Sequence, residues 1–337
     1  MQRTALPPNK TATYVMHRWK TVYVSVPKAA CTSLKWLVAD LQGEDPDHFY
    51  HALSRETGRS MTIHHRARWQ KTPMLPELPD EELAEIRPDN GWFVFAVVRH
   101  PAARLWSGWQ SKFLLREPHF VAHYPDAPWP RIPETTAEVV EDFQEFVRVL
   151  GREPTQPVFH DRHFRSQTRL LRTDAMDYTR IYRTSEVGEL MRDLEAHLRP
   201  LGLEEMPALR RSNETPLMPV RSLFSDEVQE VVRAHYQRDF DELGYEGAVP
   251  ERLHDGDEYS ADQLAEVGRL VERAERIGDL YAMAGQLRRA HRRELRAVRQ
   301  RKVPAPPTTV QRVRGKAGRV VRGGLRRVRG TGPVSGT

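Results

Sequence analysis

The chain has 337 residues, room for one large domain with additions, and carries 52 Lys/Arg, 46 Asp/Glu and one cysteine, which excludes an intramolecular disulfide. Mean hydropathy is −0.65, and no apolar run nears the ~18 residues that a membrane helix needs. The net charge of +6 hides an asymmetry: from Arg288 to Arg329 sixteen cations face Glu294 alone, while the other 36 Lys/Arg face 45 Asp/Glu. The body is therefore acidic, and any cationic function in it must come from placed residues.

Residues 1–20 read as a loose lead-in without the apolar core of a signal peptide, so a soluble protein of a reducing, cytoplasmic compartment is expected. Thr21 to Val26 is β-branched and aromatic, as a strand prefers, and Pro27 ends it. A helix is expected from Leu34, capped by Thr32 or Ser33, with Trp36, Leu37 and Leu41 on its apolar face. A strand that delivers a loop into a helix N-terminus makes an anion site, because the first N–H groups are unpaired and the dipole is positive there. Lys28 and Lys35 add full charges. Ala29, Ala30, Cys31, Thr32 and Ser33 are small enough to let a phosphate reach the backbone. Taken alone, an ordinary corner with a chance lysine explains the stretch equally well. It is not a Walker A loop, since Gly-Lys-Ser/Thr is absent, nor a cysteine-phosphatase loop, since Leu37 stands where arginine is needed.

Residues 43–60 are polar and turn-rich, and Met61 to Trp69 reads as a loop entering a short helix. A helix follows Asp80. Trp92 to Val98 is the strongest strand, apolar throughout as in a parallel sheet buried on both faces. Arg99-His100-Pro101 ends it. A helix from Ala102 to Leu115 carries Leu105, Trp106, Trp109 and Phe113 at helical spacing. Residues 117–135 hold no clear element, Thr136 to Leu150 is an amphipathic helix, and Val158 to Gln167 is a loop. Asp177 to Arg183 reads as a third strand, Glu186 to Leu201 and Ser225 to Leu243 as helices stopped by Gly202 and Gly244. This alternation predicts an α/β domain over residues 21–250, a parallel sheet flanked by helices. A C-terminal helix over 258–300 follows, with an apolar seam at Val267, Leu270, Ala274, Ile277, Tyr281 and Ala284. Either it packs singly on the body or it pairs two copies through residues 262–287. Residues 301–337 are Pro, Gly, Arg and Val, a basic tail that cannot bury a core.

Arg99 sits at the carboxyl end of the best strand, where open α/β sheets bind ligands. Ser107 lies about two turns into the next helix. Together they suit a phosphate, although Arg99 pairing with a nearby carboxylate would explain it equally well. Two anion sites at neighbouring strand ends suit a ligand with phosphates at both ends. VPKAACTSLK resembles the 5′-phosphosulfate loop of carbohydrate sulfotransferases of the PKxACT group, in a bacterial-like member. VVRHPAARLWSGWQSKF resembles that group's 3′-phosphate element, R-H-P-x-x-R-L-x-S-x-x-x-x-K-F. DRHFRSQTRLL resembles its D-x-H-W-x-P-Q segment, with Phe164 for Trp and Ser166 for Pro. HYQRDFDELGYE resembles its closing Y-x-x-D-F-x-x-F-G-Y, with Leu243 for Phe.

The resemblance implies a P-loop-kinase-like fold and the donor 3′-phosphoadenosine 5′-phosphosulfate, with a carbohydrate or glycolipid hydroxyl as acceptor. Carried over, Pro27 to Ser33 form the donor loop, with Lys28 facing the phosphosulfate bridge and Thr32 and Ser33 holding the 5′-phosphate. Arg99 and Ser107 hold the 3′-phosphate, and Arg211 and Asn213 close over the nucleotide. Lysine at the leaving oxygen stabilises charge gained in the transition state, so no metal is required. The acceptor hydroxyl needs a base, and histidine suits it. His65 or His64 is the expected base, with His163 the second candidate or an acceptor-site residue; His100 is expected to be structural. His160, Asp161 and His163 lack the further ligand of a metal site, so none is expected. Trp92, Trp106 and Trp109 read first as core. Against this stand a P-loop kinase-like phosphotransferase, which would need the missing Gly-Lys-Ser/Thr loop, and a non-catalytic anion-binding protein acting through its tail. The tail suits an anionic membrane surface, on the inner face, better than nucleic acid, since lipid-linked acceptors would be met there.

Overall fold

The computed structural model describes residues 12–49, 61–209 and 215–302. The chain divides into two units, Met1–Gly278 and Asp279–Thr337. The first holds a four-stranded sheet in the order β1 (Thr13–Met16), β2 (Thr21–Val24), β3 (Phe93–Val98), β4 (Arg180–Arg183). β1 runs antiparallel to β2, while β2, β3 and β4 are parallel, with Thr21 opposite Phe93 and Val98 opposite Arg183. The expected lead-in is thus corrected in part: Thr13 to Met16, β-branched, aromatic and fully buried, hydrogen-bonds along β2 as an edge strand.

The helices are α1 (Cys31–Gln42), α2 (Asp80–Glu85), α3 (Pro101–Trp109), α4 (Pro118–His123) and α5 (Thr136–Arg152). Then come α6 (Gln167–Leu171), α7 (Val187–Leu198), α8 (Asp226–His235), α9 (Gln237–Leu243) and α10 (Ala261–Lys302). The single helix expected over Ser225 to Leu243 is broken at Tyr236. The pleat explains the two layers of core. Val22, Val24, Val94, Ala96 and Val98 join α3, α5 and α8 in one cluster; Tyr23, Phe93, Phe95, Val97 and Tyr182 join α1 and α7 in the other. β3 is buried on both sides, as its unbroken apolar run requires. Trp106 and Trp109 stack at 5.2 Å and meet Phe143 edge-on, contacts worth about 0.5–1.5 kcal/mol each beyond burial. They are core.

Leu264, Val267 and Val271 at the start of α10 are buried in the first cluster; of the expected seam this takes in Val267, while Leu270 and Ala274 are half-buried and Ile277 is exposed. In the second unit α10 continues as helix, exposing Leu280, Met283, Leu287, Leu295 and Val298.

Candidate active site

The loop between β2 and α1 is built against ordinary backbone preference. Lys28 has φ 70° and Ala30, the residue before α1, has φ 54°, both left-handed without being glycine. Such residues cost of order 1–3 kcal/mol each and persist where the surroundings over-determine them. Left-handed residues in a turn swing successive N–H groups to one side, making a concave anion receptor. The helix starts at Cys31, not Leu34, and no side chain caps it. Thr32 and Ser33 therefore lie inside its first turn, with their own N–H groups among those an intrahelical bond cannot reach. No acidic residue occupies that turn to compensate the dipole.

Cations crowd this receptor. Lys35 is 6% exposed; burial lowers it to about 8. Burial and the neighbouring charges of Lys112, Arg99 and Arg104 lower Lys28 to about 7, with Cys31 opposing them. Arg99, where β3 ends, lies beside it: its Nη1 donates to the Lys28 carbonyl at 3.4 Å. Because β2 and β3 are adjacent and parallel, both strand ends open on the same edge, and the two expected anion sites adjoin. Ser107 is buried on α3, the helix that leaves Arg99. Burial, with the charge of Arg252, also disfavours the Arg99 guanidinium. Lys28, Lys35 and Arg99 have no carboxylate partner among the described residues.

The four sequence motifs are wired together by buried polar groups. Arg104, 1% exposed, donates to three carbonyls: Nε to Pro27 at 3.0 Å, Nη1 to Arg165 at 2.8 Å and Nη2 to Arg162 at 2.9 Å. Gln167 accepts from the Arg99 N–H at 2.9 Å and donates to its carbonyl at 2.8 Å. Asp239 in turn accepts from the N–H groups of Gln167 and Thr168, at 2.7 and 2.9 Å, and from the Thr168 hydroxyl at 2.9 Å. Tyr236 donates to the Phe164 carbonyl at 2.6 Å. Each of these groups is buried and bonded, so together they hold Arg99 and the loop between β2 and α1 in register.

The histidines differ sharply. His64 lies between Thr32 and Lys35: its Nε2 is 3.0 Å from the Thr32 hydroxyl and its Nδ1 is 2.9 Å from Lys35 Nζ. The surrounding protein and the Lys35 ammonium hold it far below its ordinary value. The His64 side chain still keeps an exposed face, as does His65 beside it. His163 forms a dyad with Asp161, Nδ1 to Oδ1 at 2.6 Å, leaving Nε2 as the outward nitrogen. Burial, eased by Asp161 and reinforced by Lys112 and Lys28, takes His163 down to about 3. Burial works against the Asp161 carboxylate, yet its bonds from His163 hold it below its ordinary value, and the Tyr124 hydroxyl bonds to it as well. His100 is packed edge-on between Phe240 and Tyr245 at 5.7 and 5.3 Å. Arg211 and Asn213 lie outside the described residues.

Lys112, Arg104, Gln167 and Asp239 carried no assigned role in the sequence reading. Lys112 projects from a π-helical turn, Gln110–Leu114, that continues α3, a distortion frequent at functional sites. Glu117 holds its ammonium at 3.5 Å. The signal for each was its fixed place in a motif: Arg104 and Lys112 in the R-H-P element, Gln167 in the D-x-H segment and Asp239 in the closing Y-x-x-D-F.

The residues from Ala12 to Glu246 match the profile of the sulfotransferase family, covering both strand-end sites, the dyad and the Tyr236–Asp239 anchor. Comparison with curated proteins and with solved structures finds no match. With that match spanning more than two thirds of its length and the motif residues linked at neighbouring strand ends, the chain belongs to the sulfotransferase family.

Proposed function

We propose that the protein transfers a sulfuryl group from 3′-phosphoadenosine 5′-phosphosulfate to a hydroxyl of a carbohydrate or glycolipid, in the P-loop-kinase-like arrangement of sulfotransferases. The observation that carries this is the adjacency of Lys28 and Arg99, half-buried cations at the ends of neighbouring parallel strands, without carboxylate partners among the described residues. Buried charge without a partner is costly, and a nucleotide with phosphates at both ends relieves it. The acceptor oxygen attacks sulfur in line as the bond from sulfur to the bridging oxygen breaks, leaving 3′-phosphoadenosine 5′-phosphate and a sulfate ester. Lys28 stabilises charge on the departing phosphate. The acceptor proton passes to Nε2 of His163. Its Nδ1–H is committed to Asp161, the tautomer a base requires. His163 is favoured over His64, whose ring nitrogens are both engaged.

Thermal unfolding with and without 3′-phosphoadenosine 5′-phosphate tests the reading. At about 100 times Kd the nucleotide stabilises by about 2.7 kcal/mol. A shift with ATP and Mg²⁺ but none with this nucleotide would replace it with the kinase reading. The exposed apolar residues of α10 and the sixteen cations after Leu287 further support a place at the cytoplasmic, anionic face of a membrane. Equal liposome flotation of the full chain and of a chain ending at residue 285 would end that placement.

A further inference from the structure

We infer that His64 is a positioning residue that turns the proton of the Thr32 hydroxyl toward the sulfuryl donor's phosphate. The inference rests on the nucleotide site proposed above. Lys35 Nζ, an ammonium below about pH 8, can only donate, so His64 Nδ1 at 2.9 Å must accept. A neutral imidazole that accepts at Nδ1 carries its proton at Nε2, so Nε2–H donates to Thr32 Oγ1 at 3.0 Å. Oγ1 has thereby received a bond, and its own proton points elsewhere. Thr32 is in the first turn of α1, whose free N–H groups face the same anion. A hydroxyl rotor is otherwise free to present its lone pairs to a phosphate; with one lone pair held by His64, fewer of its orientations do so.

The elements that meet here come from separate parts of the chain. His64 closes a single 3₁₀ turn, Met61–His64, whose Ile63 is buried in the core shared with α1. Lys35 itself lies over the ring of Tyr14 from the edge strand, at 5.6 Å. The groups facing His64 are Thr32, Lys35, His163, Lys112 and Lys28, with no carboxylate among those that act on it. The imidazolium is therefore disfavoured, and the ring stays in the one tautomer the geometry needs.

The test compares the full-length wild type, His64→Gln, Thr32→Val and the double variant by calorimetric binding of 3′-phosphoadenosine 5′-phosphate and by steady-state transfer. His64→Gln is expected to weaken the nucleotide about tenfold or more, as loss of an oriented bond to a charged group does. It should raise donor KM more than it lowers kcat, and leave the acid limb of the kcat/KM profile in place. His64→Gln should cost nothing further in the Thr32→Val background, and Thr32→Ser should restore binding. If His64→Gln instead removes kcat by more than about 100-fold with nucleotide affinity unchanged, His64 is the base and the inference is overturned. Additive losses in the double variant would also overturn it. Failure of the wild type itself to bind the nucleotide would instead refute the proposed function.

Discussion

Titrating nucleotide binding against pH isolates Lys28. In the free protein it is held near 7, so it gives up its proton as the pH rises through 7. Bound phosphates favour the ammonium and raise that value, so above pH 7 each binding event takes up a proton. The apparent Kd then grows with the fraction of neutral Lys28: about eightfold from pH ~6.5 to ~8, and about tenfold, or ~1.4 kcal/mol, for each further unit until the bound lysine itself titrates. Lys35, lowered to about 8, steepens the slope at its upper end. Isothermal titration with 3′-phosphoadenosine 5′-phosphate in HEPES and in Tris, whose ionisation enthalpies differ, reads the uptake directly, at pH ~8 about 0.9 proton from Lys28 and up to about half a proton more from Lys35. Lys28→Arg, whose guanidinium stays charged throughout, should flatten the lower part of the slope. A constant Kd with no proton uptake in the wild type would refute the argument that burial and like charge have weakened this ammonium.

His163→Gln should lower kcat by about 10²–10⁴-fold while leaving nucleotide affinity within about threefold, in rapid-quench transfer and equilibrium binding. Asp161→Asn should approach the same loss, because an amide can donate to Nδ1 and move the imidazole proton to Nε2; wild-type rates in either variant would remove His163 as base. Asp239→Ala strands three buried donors on Gln167 and Thr168 and should cost about 3–5 kcal/mol, roughly 6–20 °C in Tm by calorimetry. Arg104→Lys keeps the charge but cannot span the three carbonyls it now joins, and should weaken nucleotide binding as the Pro27 turn loosens.

The sheet was legible because β2, β3 and β4 announce themselves in β-branched and aromatic runs, and their parallel direction follows from connections long enough for crossovers. β1 was missed because four residues between polar stretches carry little periodicity, and its pairing with β2 is a matter of tertiary packing. Lys28 and Arg99 could be nominated because a strand end is a place the topology reserves for ligands. Which histidine has a free nitrogen could not, since that depends on Lys35 and Asp161 arriving from other elements. Thr32 looked like a helix cap by residue type; an unstrained α1 would have used it so, but the left-handed Ala30 lets the helix begin two residues sooner than a Thr32 cap would, and frees the hydroxyl for His64.

The Asp239–Gln167–Arg99 relay ties the grip of an early strand to a carboxylate that is synthesised 140 residues later. A nascent chain on the ribosome can pair β2 with β3 well before then, but its arginine stays unanchored until α9 has emerged. Competence to hold the nucleotide should therefore appear late and abruptly during translation, with the domain complete, and premature stops upstream of Tyr236 should yield products that capture no ligand.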